Sequence, residues 1–403
     1  MKMHEVRSFA LASAVLRRPD MRQALYDQAG KLLGRAVINL HGAEHRARRS
    51  EELKVFRKDF FQYYEREVLR PELATTLAPY VRAGSADLID LGYRLMLDLT
   101  ADFAGIDRPG RTPEATEDLL RLLKIFALAP VLDQSTLADI GSLKAELGQG
   151  IADFERNYLT PSADRREAIV DSVRRGEAPE SALPRDVLTV LVQAQEKLGM
   201  SRADLLQESI FFLLAGAHTS VHALAHVMAE LFGWLERHPE DRALVDHDPL
   251  FIQRCVHEAL RLYPSSPIAK RRPDCPMRVE PLGELDEDDV LLLNLVEANR
   301  DPAAFGDDAR SFDPHRRTPP GASPFGLSMG MGAHVCLGLQ LATGAVPKPG
   351  IDPATHHVGT VAAIVRALFS AGVAPDPRAP PVSDSTTTRV SWARFPIIFA
   401  ATG

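Results

Sequence analysis

Apolar side chains recur at three- and four-residue intervals over most of the chain, the period of a helix with one buried face. The pattern predicts helices over 10–28, 44–70, 86–103, 114–126, 137–157, 184–195, 202–237 and 249–262, of which 202–237 is the longest. Strand-like stretches are scarcer. They predict strands only around 279–281, 289–296 and 389–399, all in the second half. Proline and glycine concentrate in 314–332, 346–353 and 375–381, which read as loops. The expected fold class is therefore mainly α, an α+β arrangement with small β-sheets to one side of a helical body. No internal repeat or low-complexity linker divides the sequence, so 1–403 reads as one domain.

Composition narrows the partners. With 45% hydrophobic and 25% charged residues, the chain has an ordinary globular balance and enough length to enclose a large cofactor. A formal net charge of −7 argues against a general nucleic-acid binder. The apolar run 9–16 is too short to cross a bilayer and leads into Arg17-Arg18-Pro19-Asp20, so no membrane span is expected there. Three cysteines, Cys255, Cys275 and Cys336, lack metal-type spacing and give no disulfide framework, which fits a reducing cytoplasm. Against the acidic total, 46–58 collects Arg46, Arg48, Arg49, Lys54, Arg57 and Lys58, either a solvated helix face or a docking surface.

Cys255, on a helix, and Cys275 read as inert thiols, but Cys336 stands in Met329-Gly330-Met331-Gly332-Ala333-His334-Val335-Cys336-Leu337-Gly338. Glycines let backbone approach a flat ligand closely and take positive φ. A following helix start offers unpaired N–H groups that stabilise a thiolate. A thiolate donates electron density to an iron and favours O–O cleavage. The spacing Gly-x-Gly-x-His-x-Cys-x-Gly resembles the haem-binding loop of the cytochrome P450 family, of the bacterial soluble type. The resemblance implies that Cys336 is the axial ligand of haem b (iron protoporphyrin IX). It further implies that Gly330 and Gly332 shape the loop, His334 reaches a propionate, and Gly338 lets the next helix pack on the macrocycle. The family usually opens this loop with Phe; the apolar, polarizable Met329 here is expected to keep the sulfur shielded while changing its fine electronics.

Other segments match in family order. Glu258 and Arg261 stand at i, i+3 on the helix that ends before Pro264, and the Phe312-Asp313-Pro314-His315-Arg316 stretch supplies Arg316. By resemblance these three form a charge network with a structural role beneath the cysteine loop, although the interval from Arg316 to Cys336 is a few residues longer than in typical bacterial relatives. Midway along 202–237 comes Ala215-Gly216-Ala217-His218-Thr219-Ser220. The resemblance places this over the distal face of the haem. Ala215 and Gly216 would make room for oxygen and substrate, and Thr219 would hold oxygen and relay a proton. His218 replaces the usual acid and could still shuttle protons near neutral pH. His218, His222 and His226 also recur at i, i+4, i+8, a spacing that could hold a metal, although packing or relay is the expected use. Gly42 to Arg49 resembles the family's Glu-His-x-x-x-Arg helix start, so His45 and Arg49 are implied propionate contacts. Arg271 or Arg272 would add a third, with Arg271 favoured.

Two departures remain. The matches begin near Ala10, so the family's opening strands and first helix have no evident counterpart, and 343–359 is an extra Pro- and Gly-rich stretch after the cysteine helix. The implied activity is a cytoplasmic, monomeric haem-thiolate monooxygenase. It would use O2, with electrons ultimately from NAD(P)H through a ferredoxin or similar partner, to hydroxylate or epoxidise a small lipophilic molecule, with secondary metabolism as its setting. The alternatives are a haem-thiolate isomerase, dehydratase or peroxygenase, or a catalytically impaired haem-binding protein.

Overall fold

The structure is a computed structural model that describes residues 2–27, 30–108, 113–128, 140–348, 350–352 and 355–400. The expected positions 28, 137–139, 349, 353 and 354 lie outside the described residues. The helix-dominated reading holds, and its longest element is the helix Arg202–Arg237, with the bounds read from the sequence. Ser201 caps it reciprocally: its hydroxyl accepts from the Asp204 N–H at 3.2 Å, and Asp204 accepts from the Ser201 N–H at 2.7 Å. Among the described residues this is the one helix long and apolar enough to cross a membrane, and 67% of its most apolar window is buried. It is the core helix. The helix Leu88–Ala104 packs along it, with Gly92 fitting against Val221 and Leu224. Beside it lies Pro249–Leu262, started by an Asp248 cap.

Several predicted helices are shortened for identifiable reasons. The expected 10–28 helix ends at Arg17, because Arg18 precedes Pro19 and is held extended, and the chain continues as strand Met21–Gln23. The expected 44–70 helix is two: Gly42–Glu52, then a restart at Lys58 that runs through a wider π-turn stretch, Tyr64–Leu69, into Arg70–Ala83. Between them Val55 is buried in the core and Phe56 lines the large cavity. The helix Thr160–Arg174 was not expected. Its buried face carries Ser162, Ala163, Arg166 and Val170, so polar residues occupy positions where the period would show apolar ones.

The sheets also recruit the first half of the chain. A four-stranded sheet runs Met3–Val6, Val290–Asn294, Ile268–Pro273, Met21–Gln23, parallel in the first pairing and antiparallel in the others. The first strand, which the sequence pattern did not predict, is held by pairing Met3 with Val290 and Val6 with Leu293. A separate apolar cluster under this sheet includes Val6, Val15, Leu16, Leu291, Leu293 and Leu327. Ser85–Asp87, Pro396–Phe399 and Val373–Pro375 form a second sheet against the helical core. The register of the first sheet sets Gln23 opposite Arg271, at the edge of the site.

The segment 343–359 leaves and re-enters at one point. Gly344 and Gly359 both take positive φ, and a Cβ on Gly359 would lie 2.3 Å from the Gly344 nitrogen. Inside the excursion His357 Nδ1 meets Glu65 at 2.5 Å, and Gln253 donates to the Thr343 and Ala345 carbonyls at 2.9 Å each. The excursion is thus anchored to two helices on either side of the helix Thr360–Ser370, which resumes after it.

Candidate active site

A cavity of about 310 Å³ lies between the long helix and the cysteine loop, within the size range of ligand pockets. Cys336, Gly330, Gly338 and Met329 line it from the loop, and Ala215, Gly216 and Thr219 line it from the long helix. The Cys336 thiol is solvent-accessible and lines this space. Burial pushes its pKa up, while the Gly338 N–H at the sulfur and the nearby Arg49 charge pull the other way. The loop is folded to present that sulfur. Cys336 N donates to the Met329 carbonyl at 2.8 Å, and Gly330 and Gly332 both have φ of +66°. A Cβ on Gly332 would stand 2.6 Å from the Leu16 carbonyl oxygen, so only glycine fits there.

Four nitrogen-bearing side chains gather at one end of the cavity. The His45 and His334 rings sit 4.2 Å apart, with Arg49 and Arg271 lining the same end. Among the described residues none of the four is ion-paired to a carboxylate. Burial first, then the neighbouring cations, lowers His45 to about 4 and His334 to about 3. Burial alone brings Arg271 down to about 10. His45 Nε2 is buried with no hydrogen-bond partner. Buried donors without counter-charge are costly unless an anion completes them. The two carboxylates of a haem would satisfy that need, and with Cys336 in the same cavity the donor set fits that group. Strand alternation turns Arg271 inward and leaves Arg272 toward Asp27, 3.7 Å away.

Beneath the loop, the three expected network residues meet. Arg261, fully buried, binds both Glu258 oxygens at 2.7 and 2.6 Å and donates to the Asn299 and Ala309 carbonyls at 2.6 Å each. Arg316 reaches Glu258 at 3.0 Å and Asp308 at 2.7 Å. Sequence reading missed the link from this network to the loop, which is Asn299. Its oxygen accepts from Leu327 N at 2.7 Å, and its amide donates to Ser328 Oγ at 3.0 Å. A glycine signal was present: a Cβ on Gly326, at φ +58°, would lie 2.3 Å from the Asn299 side chain.

On the long helix Thr219 Oγ1 donates to the Ala215 carbonyl at 2.6 Å. Gly216 serves packing as well as space, since a Cβ there would come within 2.7 Å of Thr100 Cγ2. His218 is not brought to the cavity with its neighbours. It turns to the Tyr93 hydroxyl at 2.7 Å, and burial lowers it to about 4, so it stays neutral near neutral pH. His222 and His226 both hydrogen-bond the Val390 carbonyl, at 3.2 and 3.0 Å, and the histidine stripe thereby fastens the C-terminal segment to the helix. No group of three metal-binding side chains occurs among the described residues. Arg48, counted in the basic segment, is buried against Glu208 at 2.6 Å, which leaves Arg46, Lys54, Arg57 and Lys58 as its exposed cations.

Comparison with known proteins agrees with this geometry. The family model described as Cytochrome P450 matches residues 249–346. Cyclooctat-9-en-7-ol 5-monooxygenase of Streptomyces melanosporofaciens is 26% identical over 366 residues, covering 82% of this chain and 74% of that protein. The bifunctional cytochrome P450/NADPH-P450 reductase ascE of Acremonium egyptiacum is 26% identical over 190 residues, 40% of this chain but only 18% of that longer protein. Among solved structures, CalO2 superposes with a TM-score of 0.74 at 22% identity, covering 99% of this chain and 91% of the other.

Proposed function

The chain belongs to the cytochrome P450 family of oxidoreductases, and on that premise we propose that it is a haem-thiolate monooxygenase acting on a small lipophilic molecule. The observation that carries the reading is one cavity lined by the Cys336 thiol, by the nitrogen donors His45, His334, Arg49 and Arg271 with no carboxylate partner among the described residues, and by Thr219 from the long helix. Haem b, when bound, supplies O2 activation with electrons ultimately from NAD(P)H. The remaining tasks belong to side chains of this chain. Cys336 would hold the iron, with its Gly338 N–H partner steadying the sulfur. His45, His334, Arg49 and Arg271 would take the two propionates. Thr219 donates its proton to the Ala215 carbonyl, so its hydroxyl oxygen is left to accept a hydrogen bond from a group in the cavity and would relay a proton only by switching that donor. Phe56, Phe103, Phe211 and Phe212 supply the apolar lining that excludes water and favours a lipophilic substrate.

The named activity of the Streptomyces melanosporofaciens relative supports secondary metabolism as the setting; action in the cytoplasm as a monomer belongs to the same proposal. The exposed cations Arg46, Lys54, Arg57 and Lys58 suit an acidic electron donor such as a ferredoxin. The test is the reduced carbon monoxide spectrum of the purified protein. A thiolate-type band is expected, and Cys336→Ser should abolish it. Its absence in the parent, or persistence in the variant, defeats the reading. Charge reversal at Arg57 and Lys58 should slow electron delivery and leave that band intact. Turnover with NAD(P)H and a surrogate reductase separates a monooxygenase from a peroxide-driven or non-oxidative haem enzyme.

A further inference from the structure

The long helix is held at the Thr219 turn from outside. Ser265 lies just beyond Pro264, where the helix Pro249–Leu262 gives way to the four-stranded sheet, and its hydroxyl donates to the Thr219 carbonyl at 2.9 Å. Both residues line the cavity. One turn earlier, the Ala215 carbonyl takes the Thr219 hydroxyl. The carbonyls at both ends of a single helical turn therefore each carry a donor from outside the backbone ladder, an arrangement that tilts peptide groups outward and distorts a helix locally. The Ser265 backbone is itself fixed, because the largely buried Arg389 donates to its carbonyl. His218, the neighbour that the sequence offered for proton delivery, is committed to Tyr93 instead.

We propose that Ser265 is a positioning residue for Thr219: by clamping the Thr219 carbonyl, it fixes the turn that aims the Thr219 hydroxyl into the cavity, with Arg389 as its backing. This rests on the monooxygenase reading for its catalytic consequence, though the clamp itself is a property of the chain alone. Ser265→Ala removes the donor with no bulk added, and Ser265→Thr restores a hydroxyl.

Two measurements decide it. Hydrogen–deuterium exchange of the haem-free protein should rise about fivefold across 215–223 in Ser265→Ala, the factor corresponding to one neutral hydrogen bond, with no change across 203–210. In the haem-loaded protein, with a surrogate reductase and NADPH, the share of electrons released as hydrogen peroxide should at least double in Ser265→Ala. The carbon monoxide band should keep its position. Ser265→Thr should return both readouts toward the parent. Unchanged exchange over 215–223 overturns the clamp. Changed exchange with an unchanged peroxide share overturns its catalytic role. A parent protein without the thiolate band defeats the proposed function instead, and the exchange result still decides the clamp.

Discussion

Glu258 binds two guanidiniums, and replacing either by methionine should have sharply unequal effects. In Arg261→Met, Glu258 loses both contacts of its bidentate partner and keeps Arg316 at 3.0 Å and the Asp313 N–H at 3.3 Å. The Asn299 and Ala309 carbonyls lose donors at 2.6 Å as well. Breaking a buried ion pair costs about 3–5 kcal/mol, and each orphaned buried acceptor adds about 1–3 kcal/mol, so even with strong non-additivity the loss is about 5 kcal/mol. That is a large part of a typical folding free energy of about 5–15 kcal/mol. In Arg316→Met, Glu258 keeps its bidentate partner, the freed Asp308 is already 61% exposed to water, and of the Phe305, Asp308 and Ser311 carbonyls that lose donors the last two belong to exposed residues that water can satisfy, so the loss is about 2 kcal/mol. Urea unfolding of the haem-free proteins should rank parent, Arg316→Met, Arg261→Met in falling midpoint, with the second step the larger. Equal midpoints, or the reverse order, would refute the claim that Arg261 carries the buried half of the network.

Two further outcomes follow from contacts elsewhere. Gly216→Ala drives a Cβ into Thr100 and should cost about 1–3 kcal/mol, of which Thr100→Ala recovers about 1 kcal/mol in a double-mutant cycle; additive losses would contradict the contact. His257, buried and bonded to the Thr343 carbonyl at 2.9 Å, is lowered by burial to about 4. Its folded pKa lies below the unfolded value of about 6.5, so the unfolded chain binds the extra proton between those limits. The stability it contributes is complete above about pH 6.5 and declines as pH falls toward 4, by up to about 3 kcal/mol. His257→Gln keeps a donor for the carbonyl, so its stability relative to the parent should improve as pH falls from 6.5 to 4, as read by urea midpoints. A constant difference would contradict the assignment.

What the sequence revealed and what it hid divide along physical lines. The bounds of Arg202–Arg237 and Pro249–Leu262 were legible because caps mark their starts, Ser201 and Asp248, and prolines follow their ends. The cysteine loop was legible because its glycines sit where backbone conformation and a neighbouring carbonyl forbid a side chain. Partners distant in sequence were not. Arg48 read as a surface cation, yet Glu208, 160 residues away, takes it into the core. The strand Met3–Val6 has no buried alternation of its own; it is an edge strand held by backbone pairing to Val290–Asn294. The direction of His218 depends on Tyr93, which no local pattern in the helix announces.

The departure at Met329 can be weighed in the same terms. The loop's frame is made almost entirely of backbone groups and of side chains outside the variable position. Leu327 N is held by Asn299, Ser328 donates to the Leu260 carbonyl at 2.6 Å, and Gly330 N donates to the Leu327 carbonyl at 2.9 Å. At position 329 only the main-chain carbonyl is used, accepting from Cys336 N, and Arg49 secures the Val335 carbonyl from the opposite side. The hydrogen bonds that hold the loop path therefore do not involve the Met329 side chain. What a methionine in place of the family's phenylalanine alters is the packing and polarizability around the cysteine sulfur, because the thioether is softer and more mobile than a ring. Ligation by Cys336, as proposed above, would depend on the frame, and the electronic tuning of the sulfur on the residue at position 329.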